Sequence, residues 1–230
     1  MNVFIATIQN EYALLTPEES WHCCKVLRKK EGDLIQLIDG LGNFFEGRLE
    51  IVSEKQCTAK VLKGPRSQTK RSYYLHLAIA PTKQIDRIEW MLEKAVEIGL
   101  DEISFIQSKN SERSIVKTER LCKIVESAVK QSLQAYLPKV NGLSVFKDIL
   151  KLPADQKLIA HCEAGDKHSL QSLDFKNKKT LILIGPEGDF SHKEIEVATS
   201  LNYTAISLGE NRLRSETAGL YVCQAAALLT

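Results

Sequence analysis

Long hydrophobic runs are missing from this 230-residue sequence. Apolar stretches such as residues 181–184 and 225–229 fall far short of the roughly 20 residues a membrane-spanning helix needs. Met1, Asn2, Val3 and Phe4 carry no charged leader, so the expected location is cytoplasmic, with no membrane partner. No Cys-x-x-Cys pair occurs among the six cysteines and no histidines stand at zinc spacing, so reduced thiols and no metal are expected. Neither sign of charge dominates: 31 Lys and Arg against 29 Asp and Glu leave +2, too little for bulk attraction to nucleic acid. With 43% apolar and 26% charged residues, 12 Gly and 6 Pro, the composition excludes collagen, disorder and a disulfide mini-fold.

Several chemistries lack their motifs. No Gly-x-x-x-x-Gly-Lys-Ser/Thr loop, no Gly-x-Gly-x-x-Gly after an early strand and no Gly-x-Ser-x-Gly elbow is present. What is present is local basic charge: Lys25, Arg28, Lys29 and Lys30 cluster, and residues 60–71 hold Lys60, Lys63, Arg66, Lys70 and Arg71 with no acid. The vicinal Cys23 and Cys24 read as structural residues on a short helix.

The first 70 residues read as short strands (2–6, 33–38, 44–51, 56–62) with one helix, announced by Thr16 as N-cap, Pro17 at its first position and Glu19 closing a capping box. This predicts a small barrel over residues 1–70. Residues 63–72, with Gly64 and Pro65, read as a linker. From 71 to 230 strands (75–80, 102–106, 143–146, 157–162, 180–184, 204–208) alternate with helices. One helix ends on Gly99, one carries Leu121, Val125 and Ala128, one is capped by Ser191 with Glu194, and the last is capped by Ser215. Such alternation predicts an α/β unit with a mostly parallel sheet covered on both faces. Ligands of open parallel sheets sit at strand carboxyl ends. Three loops follow apolar strands there: Cys162-Glu163, Gly185-Pro186-Glu187-Gly188, and Gly209 through Ala218.

Gly185-Pro186-Glu187-Gly188 after its strand, Leu208-Gly209 followed by Leu213-Arg214-Ser215-Glu216-Thr217-Ala218, and Lys94-Ala95-Val96-Glu97-Ile98-Gly99 resemble the RsmE-type small-subunit ribosomal RNA uridine N3-methyltransferases of the SPOUT class. His22 with Val26-Leu27-Arg28, Gly32-Asp33 and Asp39-Gly40 resembles that family's PUA-like first domain. The resemblance implies a PUA-like RNA-binding β-barrel (1–70) before a trefoil-knotted parallel-sheet methyltransferase domain (71–230). It implies a homodimer, S-adenosyl-L-methionine as cofactor, and small-subunit rRNA or the assembled subunit as partner. Carried over residue by residue, the cofactor would meet Glu163, Ile184, Gly185, Pro186, Glu187, Gly188, Leu208, Gly209, Leu213, Arg214, Thr217 and Ala218. Gly188→Val would then block it. Arg214 would steady the uridine anion, and Glu216 or Glu187 would accept the N3 proton. Arg28, Lys29, Lys30, Arg66, Lys70 and Arg71 would meet RNA phosphates. Where the family commonly has a second glycine this chain has Asp189, a residue type that tolerates positive φ. Asn211 replaces a family arginine, with Arg212 one place later. Lys130 and Gln134 stand where the family often has an acid and an arginine. A SPOUT methyltransferase of tRNA or of a ribose hydroxyl, and a non-catalytic ribosome-binding homologue, are the alternatives.

Overall fold

The structure is a computed structural model describing Val3–Thr230; the expectations placed on Met1 and Asn2 lie outside the described residues. The chain divides into two compact units, one running up to Lys70 together with Glu126–Leu137, the other Arg71–Val125 with Pro138–Thr230.

The first unit is a closed barrel of β1 (Val3–Gln9), β2 (Tyr12–Leu15), β3 (Leu34–Ile38), β4 (Asn43–Val52) and β5 (Cys57–Ser67), in the order β1-β2-β5-β4-β3. Parallel pairing of Val3 with Gln36 closes it, which removes the exposed strand edges of an open sheet. Period-two alternation turns Phe4, Ala6, Leu37, Leu49 and Ala59 into its core. Helix α1 (Pro17–Trp21) begins where Thr16 Oγ1 accepts from the Glu19 N–H at 3.2 Å. The capping box is only half formed, because the Glu19 carboxylate pairs with the Lys130 ammonium and not with the Thr16 N–H. A π-helical turn, His22–Val26, follows; within it burial pushes the Cys23 thiol up to about 12, as fits a structural cysteine.

Residues 63–67 are not a linker. They extend β5 past a bulge, pairing Lys63 with Glu46 and Arg66 with Phe44. Gly64 and Pro65 mark the irregularity, where a strand tolerates them, and not a domain break. Residues 126–137 lie with the barrel through backbone bonds: Gly42 N–H donates to Ala135 O at 2.9 Å and Leu137 N–H to Gly40 O at 2.9 Å.

In the second unit, β6 (Tyr74–Ile79), β7 (Glu102–Gln107), β8 (Lys139–Val145), β9 (Gln156–Ala160), β10 (His168–Ser169), β11 (Lys179–Ile184) and β12 (Thr204–Ser207) form one sheet, ordered β10-β12-β9-β11-β6-β7-β8. Every pairing is parallel. Helices α2 (Ile85–Ile98), α3 (Thr118–Gln131, whose residues from Glu126 on belong to the first unit), α4 (Phe146–Ile149) and α5 (His192–Ser200) connect strands, and α6 (Ser215–Leu228) follows the last one. On one face Ala78, Leu181 and Leu183 bury against Phe146 of α4, Ile195 of α5 and Tyr203. On the other, Gly219 of α6 lies close to Leu77 and Met91, so α2 and α6 cover that side. Ser191 and Glu194 form the predicted capping box of α5, with Glu194 Oε2 accepting from the Ser191 N–H at 2.8 Å. Ser215, expected as the cap of α6, is its first helical residue instead. Arg214 takes the N-cap position, and the Ser215 hydroxyl is committed elsewhere.

Candidate active site

Strands β12, β9 and β11 are neighbours in the sheet, so the loops leaving their carboxyl ends converge. Between them lies a cavity of about 510 Å³, within the range of small-molecule sites. Ile184, Pro186, Ile206, Leu208, Leu213 and Ala218 supply its apolar wall, and Glu187, Glu210 and Arg214 bring charge to it. Gly209 sits at φ 122 with nothing within 4 Å of where a Cβ would stand, a conformation that favours glycine and leaves bare backbone at the cavity.

The β11 loop is the hub of this arrangement. Gly185 is packed so closely that a Cβ would lie 3.2 Å from the Phe190 ring, and its carbonyl accepts the Ser215 hydroxyl at 2.7 Å, pinning the start of α6. Glu187 Oε1 accepts from the Lys83 N–H at 3.0 Å, and Arg113 holds the same β6 loop through Thr82 O (3.1 Å) and Lys83 O (2.7 Å). Arg212 reaches the Glu187 carbonyl at 3.4 Å, which gives this one-place-shifted arginine a structural contact. Asp189 adopts φ 59, the left-handed conformation expected to be open to it.

Of the twelve residues expected at the cofactor, nine line the cavity: Ile184, Gly185, Pro186, Glu187, Leu208, Gly209, Leu213, Arg214 and Ala218. Glu163, Gly188 and Thr217 do not. Glu163 Oε2 is engaged by His192 Nδ1 at 2.9 Å, and Thr217 is exposed on α6. A Cβ on Gly188 would lie 3.2 Å from Asn110 Cβ, so Gly188→Val strikes the β7 loop. Glu216 is also displaced from its expected role: it is buried in the first turn of α6 with Oε1 3.6 Å from Arg87 of α2, outside the cavity lining. Arg214 is exposed and lines the cavity; its carbonyl accepts from the Ala218 N–H at 2.8 Å, while its guanidinium makes no hydrogen bond or ion pair among the described residues. Arg71, expected on RNA, spends its guanidinium on Asp101 at 2.9 Å and the Leu100 carbonyl. Arg28, Lys30, Arg66 and Lys70 are exposed, Lys29 is half-buried, and Arg66 lies 4.7 Å over the Phe44 ring.

Sequence reading placed Cys162 in a candidate loop but passed over three contributors, His161, Lys167 and Asn110. His161, Cys162 and Lys167 follow β9 and line the cavity; burial, then Lys167, pushes the His161 imidazole down, so it is neutral at neutral pH. Asn110 braces the β11 loop by donating to the carbonyls of Gly188 and Asp189, each at 3.0 Å. The strand-end rule that selected the other loops was not applied to β7, where it would have singled out the loop that carries Asn110.

A profile of the RNA methyltransferase domain family matches residues 69–227, and one of the RNA methyltransferase PUA domain matches residues 15–62. The ribosomal RNA small subunit methyltransferase E of Mesomycoplasma hyopneumoniae is 33% identical over 95% of both chains. This chain belongs to the ribosomal RNA small subunit methyltransferase E family. Among solved members, the crystal structure of a probable rRNA-methyltransferase from Porphyromonas gingivalis superposes with a TM-score of 0.89 at 41% identity, covering 100% of this chain and 98% of that one. The Neisseria gonorrhoeae ribosomal RNA small subunit methyltransferase E, solved bound to S-adenosyl methionine, superposes with a TM-score of 0.84 at 26% identity, covering 100% and 98%. The barrel and the parallel-sheet unit are thus the two domains of a methyltransferase E, with the candidate cavity inside the matched methyltransferase region.

Proposed function

We propose that this methyltransferase E transfers a methyl group from S-adenosyl-L-methionine to N3 of one uridine in small-subunit (16S) ribosomal RNA, on the assembled subunit. The observation that carries this reading is the cavity at the ends of β12, β9 and β11, lined by the motif residues with an uncommitted arginine beside it.

The residues present fit the cofactor. An adenine ring needs an apolar slot with backbone edges, and Ile184, Pro186, Leu208 and Leu213 with the bare backbone at Gly209 offer both. A sulfonium cation favours nearby carboxylates, and Glu187 and Glu210 line the same space. When bound, S-adenosylmethionine supplies an activated methyl group with a good leaving group. What the chain must add is position and charge control. Uridine N3 carries an imide proton, so the base becomes nucleophilic as negative charge develops on it. Arg214, free of protein partners, holds its guanidinium for that anion. Of the two carboxylates expected to take the proton, Glu187 is at the cavity and Glu216 is held by Arg87; Glu187 is the acceptor in this reading.

The barrel then serves as the PUA-like RNA-binding domain, with Arg28, Lys29, Lys30, Arg66 and Lys70 on phosphates, making binding salt-dependent. Arg71 leaves that set. A trefoil knot in the sheet domain, a homodimer and a cytoplasmic location complete the reading. Among the described residues no helix is long and apolar enough to cross a membrane.

The test is transfer of labelled methyl from S-adenosylmethionine to small ribosomal subunits from a strain lacking the activity, with nuclease digestion of the product. Labelled 3-methyluridine at one position is the expected result. Label on tRNA or on ribose, or subunit binding without label, overturns it.

A further inference from the structure

Asp189 has two carboxylate oxygens and both are committed to backbone donors, one of them on another loop. Oδ2 accepts from the Cys162 N–H at 2.6 Å, and Oδ1 accepts from the Phe190 N–H at 2.7 Å. The first bond crosses between loops of two neighbouring strands, β9 and β11, and lands on a residue that lines the cavity. Both distances are those of short, charge-assisted hydrogen bonds. The backbone that aims the carboxylate is itself over-determined: Asp189 N–H donates to Pro186 O at 2.9 Å, Asn110 Nδ2 donates to the carbonyls of Gly188 and Asp189, and φ stands at 59. A side chain held this way in a sparsely populated conformation, with both acceptors used on backbone donors, organises chain and does not wait for solvent.

We propose that Asp189 is a positioning residue: its carboxylate latches the β9 loop onto the β11 loop and so presets the wall of the cofactor cavity before ligand arrives. This rests on the reading of the cavity as the S-adenosylmethionine site. Residues 161–167 begin with His161, whose buried Nδ1 has no hydrogen-bond partner, and they end with Lys167, whose ammonium donates back to the His161 carbonyl at 2.8 Å. The other ties of this loop, Lys167 to His161 and Glu163 to His192, begin on its flexible or exposed side chains. The Asp189 bond fixes its backbone. A loop ordered in advance spares the ligand the entropy of ordering it, and that saving appears as affinity.

Two substitutions separate the latch from backbone strain. Asp189→Gly keeps positive φ accessible and removes both acceptors; Asp189→Asn also tolerates this conformation and keeps one acceptor oxygen. In ligand-free protein, amide hydrogen exchange in the peptide carrying Cys162 is expected to speed up about tenfold or more in Asp189→Gly, with Asp189→Asn in between. Calorimetric titration with S-adenosylmethionine is expected to show a Kd weakened about tenfold or more in the glycine variant and less in asparagine. The loss of methyl transfer should then appear chiefly as a raised KM for cofactor, with kcat the less affected. Parental exchange at Cys162 together with parental Kd in Asp189→Gly overturns the latch. Failure of the parent itself to bind S-adenosylmethionine overturns the cofactor reading instead, and the exchange measurement, which uses no ligand, still decides the latch.

Discussion

Acid should unfold the sheet domain through one histidine. His76 on β6 is 1% exposed, with Nε2 2.8 Å from Ser104 Oγ and Nδ1 3.6 Å from Glu102 Oε2. Burial pushes its imidazole down from 6.5 to about 4, against the attraction of Glu102, so the folded protein holds it neutral. An unfolded chain protonates the same ring near 6.5. The unfolded state therefore binds more protons between about pH 6.5 and 4, and stability is fully present above that window and lost as pH falls through it. The whole shift corresponds to about 3 kcal/mol, of which about 2 kcal/mol is lost between pH 7 and pH 5. Glu102 acts in a lower window: burial favours its neutral form, but bonds from Asn141, Lys139 and Tyr74 and the nearby His76 outweigh it and take the carboxyl from 4.5 to about 2. Its contribution is present above 4.5 and disappears below. Urea unfolding of the parent and of His76→Gln at pH 7 and pH 5 isolates the ring, because the rest of the chain is common to both. The parent should lose about 2 kcal/mol more than the variant over this interval. Equal losses would refute the assignment of a neutral buried His76.

Two further outcomes follow from the cavity. Arg214→Ala removes a guanidinium with no protein partner and leaves the N-cap without loss, since that side chain makes no capping bond. Single-turnover methyl transfer at saturating cofactor should fall about 100-fold with little change in melting temperature. Gly185→Ala places a Cβ 3.2 Å from the Phe190 ring and its N–H and 3.3 Å from Asp189 Oδ1. It should cost about 1–2 kcal/mol in urea unfolding and weaken S-adenosylmethionine binding measured by calorimetry.

Much of this architecture is legible because its signals are periodic. Strands at 75–80, 102–106 and 180–184 appear within a residue of β6, β7 and β11, since buried parallel strands are continuous apolar runs. β2 escapes because Tyr12–Leu15 is only four residues long, too short for alternation to show. The end of β5 escapes because its residues are exposed, so its pattern is that of a polar loop although its pairing with β4 continues. The return of residues 126–137 to the barrel rests on backbone hydrogen bonds and on Lys130 with Glu19, which leave no hydrophobic period. In the site, the loops chosen by strand ends line one cavity, but motif position could not tell a side chain that faces the cavity from its neighbour. Arg214 and Glu216 are two residues apart; one is exposed at the cavity and the other is buried beside Arg87.

Why the motif density falls on the loop after β11 follows from the sheet order. In β12-β9-β11-β6-β7 that strand is central, so its loop is the one within reach of loops from strands on both sides. It meets each with a polar contact: Lys83 after β6, Asn110 after β7, Cys162 after β9, and Arg212 with Ser215 after β12. These contacts share one short segment, Gly185 to Asp189, whose backbone can take up one arrangement that satisfies them all. Substitutions at its partners are therefore coupled through a common backbone shift and should be strongly non-additive. A cavity built this way is set by the sheet's central loop, and Asp189 and Arg212 are two of the side chains that tie it to its neighbours.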